Sequence, residues 1–198
     1  LPEVIARAFS PRTSPLAPRR PAKAAPAQAG QQLPVIDTMY DLPCRTMRLL
    51  DESADGLGVE YEDEPARPVV MGMIVTLHHD ESSPPVLCEV MRRSLVQGRT
   101  VRLGLRILSH SPKKLVLARI DGAGTVEAIY VPSEDASGQV DSLLVSEGDF
   151  DPRMSFEARF DDRAFVLRLN HVRYHGRGWY LAGFEVSEER APGAAVPS

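Results

Sequence analysis

Residues 51–56 spell D-E-S-A-D-G, a D-x-S-x-x-G hexad that directly follows a short apolar run. The side chains of Asp51 and Ser53 can hydrogen-bond nearby backbone groups, and Gly56 can adopt a positive φ, so the hexad predicts a tight turn between two strands. A carboxylate and a hydroxyl on such a turn could also hydrogen-bond a ligand. The hexad therefore leaves two interpretations open, a structural turn and a ligand site.

Charge is segregated along the chain, although the formal net charge is only −4. Residues 51–64 hold seven carboxylates and no base, whereas residues 92–119 hold eight bases and no carboxylate. Residues 133–162 are acidic again, with nine carboxylates against two arginines. This pattern admits either a solvated surface with clustered charges or an anion site on the basic block.

The chain contains no G-x-S-x-G elbow, no Walker-type G-x-x-x-x-G-K and no G-x-G-x-x-G. We therefore expect no enzymatic activity. His78 and His79 are adjacent and would point to opposite faces of a strand, which favours a polar hairpin end over a metal site. His171 and His175 also lack partners at metal-ligand spacing, so no metal is expected.

From residue 33 onward the dominant signal is alternation with a period of two, and no long stretch shows helical periodicity. In residues 99–108 the apolar positions Val101, Leu103, Leu105 and Ile107 alternate with Arg102, Gly104 and Arg106, as expected of a strand with its arginines outward. Further strands are predicted at about 34–38, 44–50, 57–62, 72–78, 86–94, 114–120, 126–131, 142–146, 155–160, 163–174 and 180–186. Short strands at this spacing predict an all-β protein built as barrels or sandwiches.

The outward arginines raise the question of a nucleic-acid partner. No exposed aromatic residues are interleaved with Arg102 and Arg106, and the whole chain is acidic. A nucleic-acid partner is therefore not expected. The aromatic group of Trp179, Tyr180 and Phe184 follows core periodicity instead, and is predicted to fill the second set of strands.

A break near residues 110–113 divides the strands into two sets. We predict a β-barrel over residues 33–111 and a second over 112–188. Seven of the 17 prolines lie before residue 35. Residues 1–32 are accordingly predicted to be a disordered, basic, Pro/Ala-rich linker, and residues 189–198 a disordered tail.

Two cysteines, Cys44 and Cys88, do not suggest a disulfide framework. No apolar run approaches the roughly 18 residues of a membrane span, and the first thirty residues lack the apolar core of a secretory signal. The expectation is a soluble, cytoplasmic protein without a membrane span. Because the chain begins at Leu1 rather than Met, we also expect it to be a piece of a longer protein or a processed chain.

The order of these parts resembles a PilZ domain over roughly residues 33–109. The resemblance rests on the D-x-S-x-x-G hexad after a strand, on Val70 to Val75 leading into the next one, on a strand ending in Arg92 and Arg93, and on its partner at residues 101–108. The arrangement is also similar to PilZ-like bacterial proteins with a second β-barrel. PilZ domains are six-stranded barrels, many of which bind cyclic di-GMP and relay its level to other proteins.

The resemblance implies that Asp51, Ser53 and Gly56 bind the ligand. The family pairs this hexad with R-x-x-x-R in the preceding linker, whereas no such motif stands before residue 51 here. The nearest approximation is formed by Arg19, Arg20 and Lys23, which the resemblance implies would close over the ligand.

Two functions follow from the resemblance. The first is a non-enzymatic cyclic di-GMP-binding module that relays the second messenger to an unidentified protein partner. The alternative is a degenerate PilZ-like interaction or structural protein that keeps the hexad as a turn and no longer binds nucleotide.

Overall fold

The computed structural model of the chain describes residues 32–35, 45–65, 68–78, 83–122, 124–133, 140–160 and 163–190. These residues form twelve β-strands and a single 3-10 turn at Glu147–Asp149, and the described part of the chain contains no α-helix. The predicted all-β class is thus confirmed. In the same ranges no helix is long and apolar enough to cross a membrane. The segments predicted to be disordered, 1–32 and 189–198, lie almost wholly outside the described residues.

The first six strands close into one barrel. They are β1 (Gln32–Val35), β2 (Arg45–Glu52), β3 (Gly56–Glu62), β4 (Ile74–Leu77), β5 (Val86–Gln97) and β6 (Thr100–Ser109). All neighbours are antiparallel, in the order β1-β2-β3-β6-β5-β4. Within the described residues, Val35 of β1 lies opposite Leu77 of β4 where the ring closes.

The other six strands form a second antiparallel ring. They are β7 (Lys113–Arg119), β8 (Thr125–Val131), β9 (Ser142–Ser146), β10 (Ser155–Phe160), β11 (Arg163–His175) and β12 (Trp179–Arg190). Their order is β7-β8-β9-β12-β11-β10, and β10 returns to β7 where Phe156 faces Arg119 and Ala158 faces Leu117. Each ring therefore joins its strands in the order first, second, third, sixth, fifth, fourth.

The chain forms two compact units with a boundary between Pro112 and Lys113, so that each ring lies in a unit of its own. Each unit has its own apolar core, as the period-two alternation of its strands requires. Val59, Val101 and Leu103 are completely buried in the first core, and Leu117, Ala158 and Leu169 in the second.

The alternation predicted for residues 99–108 holds in the first part of β6, where Val101, Leu103 and Leu105 are buried and Arg102 is exposed. Ile107 is half-buried and still packs against the core, and the alternation ends at Leu108, which is buried as well. The cause is a change of register against β5 between Leu87 and Cys88, which inserts one extra residue in β6 and reverses the faces beyond it.

The aromatic group predicted for the second core divides between two faces of β12. Tyr180 and Phe184 pack against the core. Trp179 is completely buried, but it lies one residue out of phase with them and packs beside Tyr174, with a ring-centroid separation of 5.7 Å. A side chain at position 176 would place its Cβ 2.3 Å from the Trp179 ring, so Gly176 is what allows the indole to lie there.

Cys88 is completely buried in the first core, and its burial raises the pKa of the thiol to about 12. We predict that Cys88 resists alkylation while the protein is folded. Against an ordinary value of 9.0, the shift lowers the thiolate fraction at pH 8 about a thousandfold, and the barrel also blocks access. Iodoacetamide labelling of a Cys44→Ser variant, in which Cys88 is the only thiol, measures this. Labelling as fast in buffer as in 6 M guanidinium would contradict it.

A groove on the outer face of the first barrel

The hexad connects β2 to β3 and does form a turn. The backbone N–H of Ser53 donates to the Gly56 carbonyl at 2.9 Å, and the Ser53 hydroxyl donates to the same oxygen at 3.2 Å. The Asp55 carbonyl accepts a hydrogen bond from the Ile107 N–H at 2.9 Å, which attaches the turn to β6. Asp51 and Ser53 remain exposed on this turn.

The predicted reason for Gly56 is wrong. Gly56 is not among the described glycines with positive φ, so the turn does not need its left-handed freedom. The requirement is one of space. A Cβ at position 56 would lie 2.6 Å from the Leu105 carbonyl oxygen of β6, well inside van der Waals contact with backbone that cannot rotate away.

Four residues from four adjacent strands form a row across the outer face of this sheet. Asp51 of β2 pairs with Gly58 of β3, Gly58 pairs with Gly104 of β6, and Gly104 pairs with Arg92 of β5. Since neighbouring strands lie about 4.8 Å apart, the ends of the row are separated by about 14 Å at the backbone. The row thus has a carboxylate at one end, a guanidinium at the other, and no side chains between them.

The two glycines allow the side chains at the ends to lean inward. A Cβ at position 58 would lie 2.6 Å from both Asp51 carboxylate oxygens, so that carboxylate rests on the Gly58 backbone. A Cβ at position 104 would lie 3.4 Å from the Cβ of Arg92 and 3.7 Å from its Cγ and Cδ, so the arginine stem rests on Gly104. We refer to Gly58 and Gly104 as the glycine floor.

The glycine floor is the base of a groove of about 490 Å³. That volume falls within the range of about 300–1,000 Å³ that is typical of small-molecule sites. The groove combines hexad residues with residues of β5 and β6, namely Asp51, Ser53, Gly56, Leu57, Gly58, Met91, Arg92, Ser94, Arg102, Leu103, Gly104 and Leu105. One wall is therefore acidic and hydroxyl-bearing, and the opposite wall is basic.

A second row of polar residues runs alongside the glycine floor. Glu60 of β3 lies between Arg48 and Arg102, with ion pairs at 2.5 and 3.4 Å. The hydrogen bond from Arg48, with a smaller contribution from Arg102, holds the pKa of Glu60 below its usual value. Arg102 is thus already engaged by the protein. Within the described part of the chain, by contrast, the side chains of Asp51 and Arg92 have no hydrogen-bond or ion-pair partner.

A third row borders the floor on the other side, where Gly56 pairs with Arg106 and Arg106 pairs with Glu89. Glu89 is a charged residue with only 3% of its surface exposed. The Arg106 guanidinium donates to its carboxylate at 2.5 Å. This ion pair compensates the cost of burying the carboxylate beside the groove.

The structure brings together three of the six residues predicted to bind a ligand, Asp51, Ser53 and Gly56. The other three, Arg19, Arg20 and Lys23, lie outside the described residues. Sequence reasoning placed arginines on the outer face of β6, but it did not assign Arg92 or Arg102 to the site. The available signal was the basic block itself, together with Arg102 and Arg106 spaced four apart on one face of a strand.

His78, His171 and His175 are not among the residues that line this groove. The ring of His78 makes a 3.2 Å hydrogen-bond contact with the Ser83 carbonyl, while His79 lies outside the described residues. His171 and His175 are exposed on β11, and the His175 ring lies 6.4 Å from that of Tyr174. Among the described residues, no three His, Cys, Asp or Glu side chains are grouped as a metal site would need.

Comparison with protein-family models, with curated proteins and with solved structures gave no match. Support for a function therefore has to come from the groove and the barrel. The barrel is compatible with the six-stranded PilZ fold.

Proposed function

We propose that this protein is a non-enzymatic, cytoplasmic receptor of the PilZ type, in which the groove of the first barrel binds cyclic di-GMP. The observation that carries the proposal is that Asp51, a carboxylate with no partner among the described residues, lies across the glycine floor from Arg92. A guanine nucleotide has matching features. It presents neutral N–H donors on its base and negative charge on its phosphates.

Asp51 is suited to the base. The Watson–Crick edge of guanine carries two adjacent donors, N1–H and the N2 amino group, and a carboxylate accepts two such hydrogen bonds side by side. Ser53, two residues on, adds a hydroxyl that can accept or donate. Adenine offers an acceptor at N1 beside the N6 donor, so the same carboxylate would oppose a lone pair. The groove should therefore prefer guanine to adenine.

The glycine floor is suited to the flat part of such a ligand. Because Gly58 and Gly104 have no side chains, a planar base can approach the backbone of β3 and β6 closely. The walls of the groove remain available to orient it. The Pro/Ala-rich segment that precedes the barrel would bring Arg19, Arg20 and Lys23 over the bound nucleotide, as the resemblance to PilZ domains implies.

Relay to a partner protein follows from that closure. A ligand shifts a conformational equilibrium only as far as it binds one state better than the other. If the basic segment contacts the nucleotide, binding favours the state in which that segment lies on the barrel. A protein partner would then distinguish the two states by what the segment covers or exposes.

The alternative is that the barrel has kept the hexad only as a turn. The hydrogen bonds from Ser53 to the Gly56 carbonyl favour it, since they give the serine a structural role without any ligand. On this alternative the protein is a PilZ-like interaction or structural module, and the same variants would alter stability without altering any affinity.

Calorimetric titration with cyclic di-GMP separates the two. We predict a measurable binding heat at nucleotide concentrations up to about 100 μM. The Asp51→Ala variant should bind about 10- to 100-fold more weakly, because a charge-assisted hydrogen bond contributes about 1.5–3 kcal/mol. Glu52→Ala is the matched control, since Glu52 is an exposed carboxylate of the same hexad that does not line the groove.

Cyclic di-AMP serves as the ligand control and should bind at least tenfold more weakly than cyclic di-GMP. No heat from cyclic di-GMP at 100 μM would exclude the proposed receptor and favour the alternative. Equal losses of affinity in Asp51→Ala and Glu52→Ala would show that charge near the turn matters, rather than recognition by Asp51.

A further inference from the structure

The two rings share more than their strand order. When the two rings are aligned on the bulges of β5 and β11, Gly104 of β6 corresponds to Gly183 of β12. Continuing the β9–β12 register one pair beyond Ala182 and Leu143 then makes Ser142 of β9 the counterpart of Gly58 of β3. In each ring the fifth strand has a bulge opposite that glycine, between Val90 and Arg92 in β5 and between Leu169 and Val172 in β11. The second ring thus carries a counterpart of the glycine floor.

In the second ring that surface is closed by the protein itself. A Cβ at position 183 would lie 2.6 Å from Oδ1 of Asn170, 2.7 Å from Cε1 of His171 and 3.1 Å from Nε of Arg173, so three side chains of β11 lie over Gly183. The Nη1 of Arg173 donates to the Val140 carbonyl at 3.0 Å and to the Ser142 hydroxyl at 3.4 Å. The guanidinium of Arg173, on the fifth strand of this ring, therefore crosses the surface. It donates its hydrogen bonds to acceptors at the third strand.

In the first ring the corresponding hydroxyl acceptor is missing. Gly58 occupies the position of Ser142 and offers no hydroxyl. Arg92 lies on Gly104 from the same strand of the ring as Arg173, is exposed, and has no hydrogen-bond or ion-pair partner among the described residues. A guanidinium held over bare backbone in this way still has its planar fork of donors available, the arrangement that suits phosphate oxygens.

We infer that Arg92 is the anion-binding residue of the groove. Its guanidinium donates hydrogen bonds to a phosphate oxygen of the ligand, as the guanidinium of Arg173 donates to protein oxygens in the second ring. The inference rests on the proposed function for the identity of the nucleotide, but not for the anion chemistry. Asp51 and Arg92 then have separate roles at the two ends of the row. Asp51 selects the base, and Arg92 holds the phosphate.

The inference extends to the number of sites. Because the side chains of Asn170, His171 and Arg173 cover the counterpart surface, the second ring has no equivalent open floor within the described residues. The chain should therefore bind through the first ring alone, with one groove occupied per chain.

The test uses two probes, cyclic di-GMP and inorganic pyrophosphate, on the full chain and on Arg92→Ala, Arg92→Lys and Arg173→Ala. We expect Arg92→Ala to weaken cyclic di-GMP at least tenfold. Arg92→Lys should recover only part of the affinity, because lysine keeps the charge but not the bidentate fork. Arg173→Ala is the matched control and should bind as the unmodified chain does. Pyrophosphate should shift the Nε resonance of Arg92 in a ¹⁵N NMR titration.

Each outcome separates this inference from the proposed function. If the unmodified chain ignores cyclic di-GMP while pyrophosphate still shifts the Arg92 resonance, the nucleotide is wrong and the anion site stands. If Arg92→Ala binds cyclic di-GMP as tightly as the unmodified chain, the receptor stands and the role of Arg92 is overturned. If neither probe affects Arg92, the anion site is overturned as well.

Discussion

Replacing Gly56 with alanine should lower the free energy of unfolding by about 3 kcal/mol, the upper end of what overpacking costs. The new Cβ would lie 2.6 Å from the Leu105 carbonyl oxygen, and the obstacle is backbone rather than a side chain that could rotate. Relief requires β3 to move away from β6, which would weaken the pairing of Gly56 with Arg106 and of Gly58 with Gly104. The glycine floor would be distorted along with the turn.

A second substitution at the same position distinguishes the two possible reasons for the glycine. If Gly56 were needed for positive φ, asparagine should be tolerated better than alanine, because asparagine enters the left-handed region more readily. If the reason is the close approach of Leu105, asparagine should be at least as destabilising. Chemical denaturation of Gly56→Ala and Gly56→Asn, followed by circular dichroism, gives both values.

Gly98 is the control for a glycine that is required by its positive φ rather than by lack of space. It lies at the tip of the β5–β6 hairpin with φ of 58°, and a Cβ there would meet no atom within 4 Å. We expect Gly98→Asn to be milder than Gly98→Ala, reversing the order expected at Gly56. The same order at both positions, with asparagine better than alanine, would mean that Gly56 is a turn glycine after all.

Replacing Arg106 with leucine should lower the free energy of unfolding by about 3 kcal/mol, because breaking a buried ion pair leaves a charge without its main partner. Glu89 is almost completely buried and receives a 2.5 Å hydrogen bond from Arg106. We place the cost at the lower end of the usual range because the Arg106 side chain is 38% exposed, so water can reach part of the site. The measurement is again the midpoint of chemical unfolding.

The double variant Glu89→Leu with Arg106→Leu tests the cause. Replacing both members of a buried ion pair by apolar side chains often leaves stability unchanged. The double variant should therefore recover most of the free energy of unfolding that Arg106→Leu loses. The second ring supplies a matched control, because Arg168 and Glu185 occupy the equivalent positions with the charges exchanged. That pair is more than half exposed on both sides, with a separation of 3.4 Å.

Arg168→Leu should accordingly change stability by no more than about 0.5 kcal/mol, as expected for an exposed ion pair. A loss as large as that of Arg106→Leu would show that burial does not separate the two pairs. A double variant of Glu89 and Arg106 that remained as unstable as Arg106→Leu would point to lost packing of the arginine stem instead.

The strands were predictable from sequence because their signal is local. Each of the twelve segments predicted from alternation and turn residues overlaps a strand, and β9 and β10 coincide with the predicted ranges. Which face of the sheet each side chain occupies was predictable only as far as the bulges. Leu108 is buried because β6 has an extra residue relative to β5, and the sequence of β6 alone does not indicate that shift.

The site was predictable only in part, for a similar reason. The hexad lies within one turn, so Asp51, Ser53 and Gly56 could be grouped from their spacing. Arg92 joins them through the register of β3 with β6 and of β6 with β5, two long-range pairings that the sequence does not specify. Gly104 was visible as an outward position, but its use as a floor depends on the same pairings.

β1 lies between β2 and β4, so it is the strand that closes the first ring. It also continues directly from the basic N-terminal segment. Without β1, the strands β2 and β4 would each present an unpaired edge. An ordering event in the N-terminal segment would therefore act on the strand that keeps the first barrel closed.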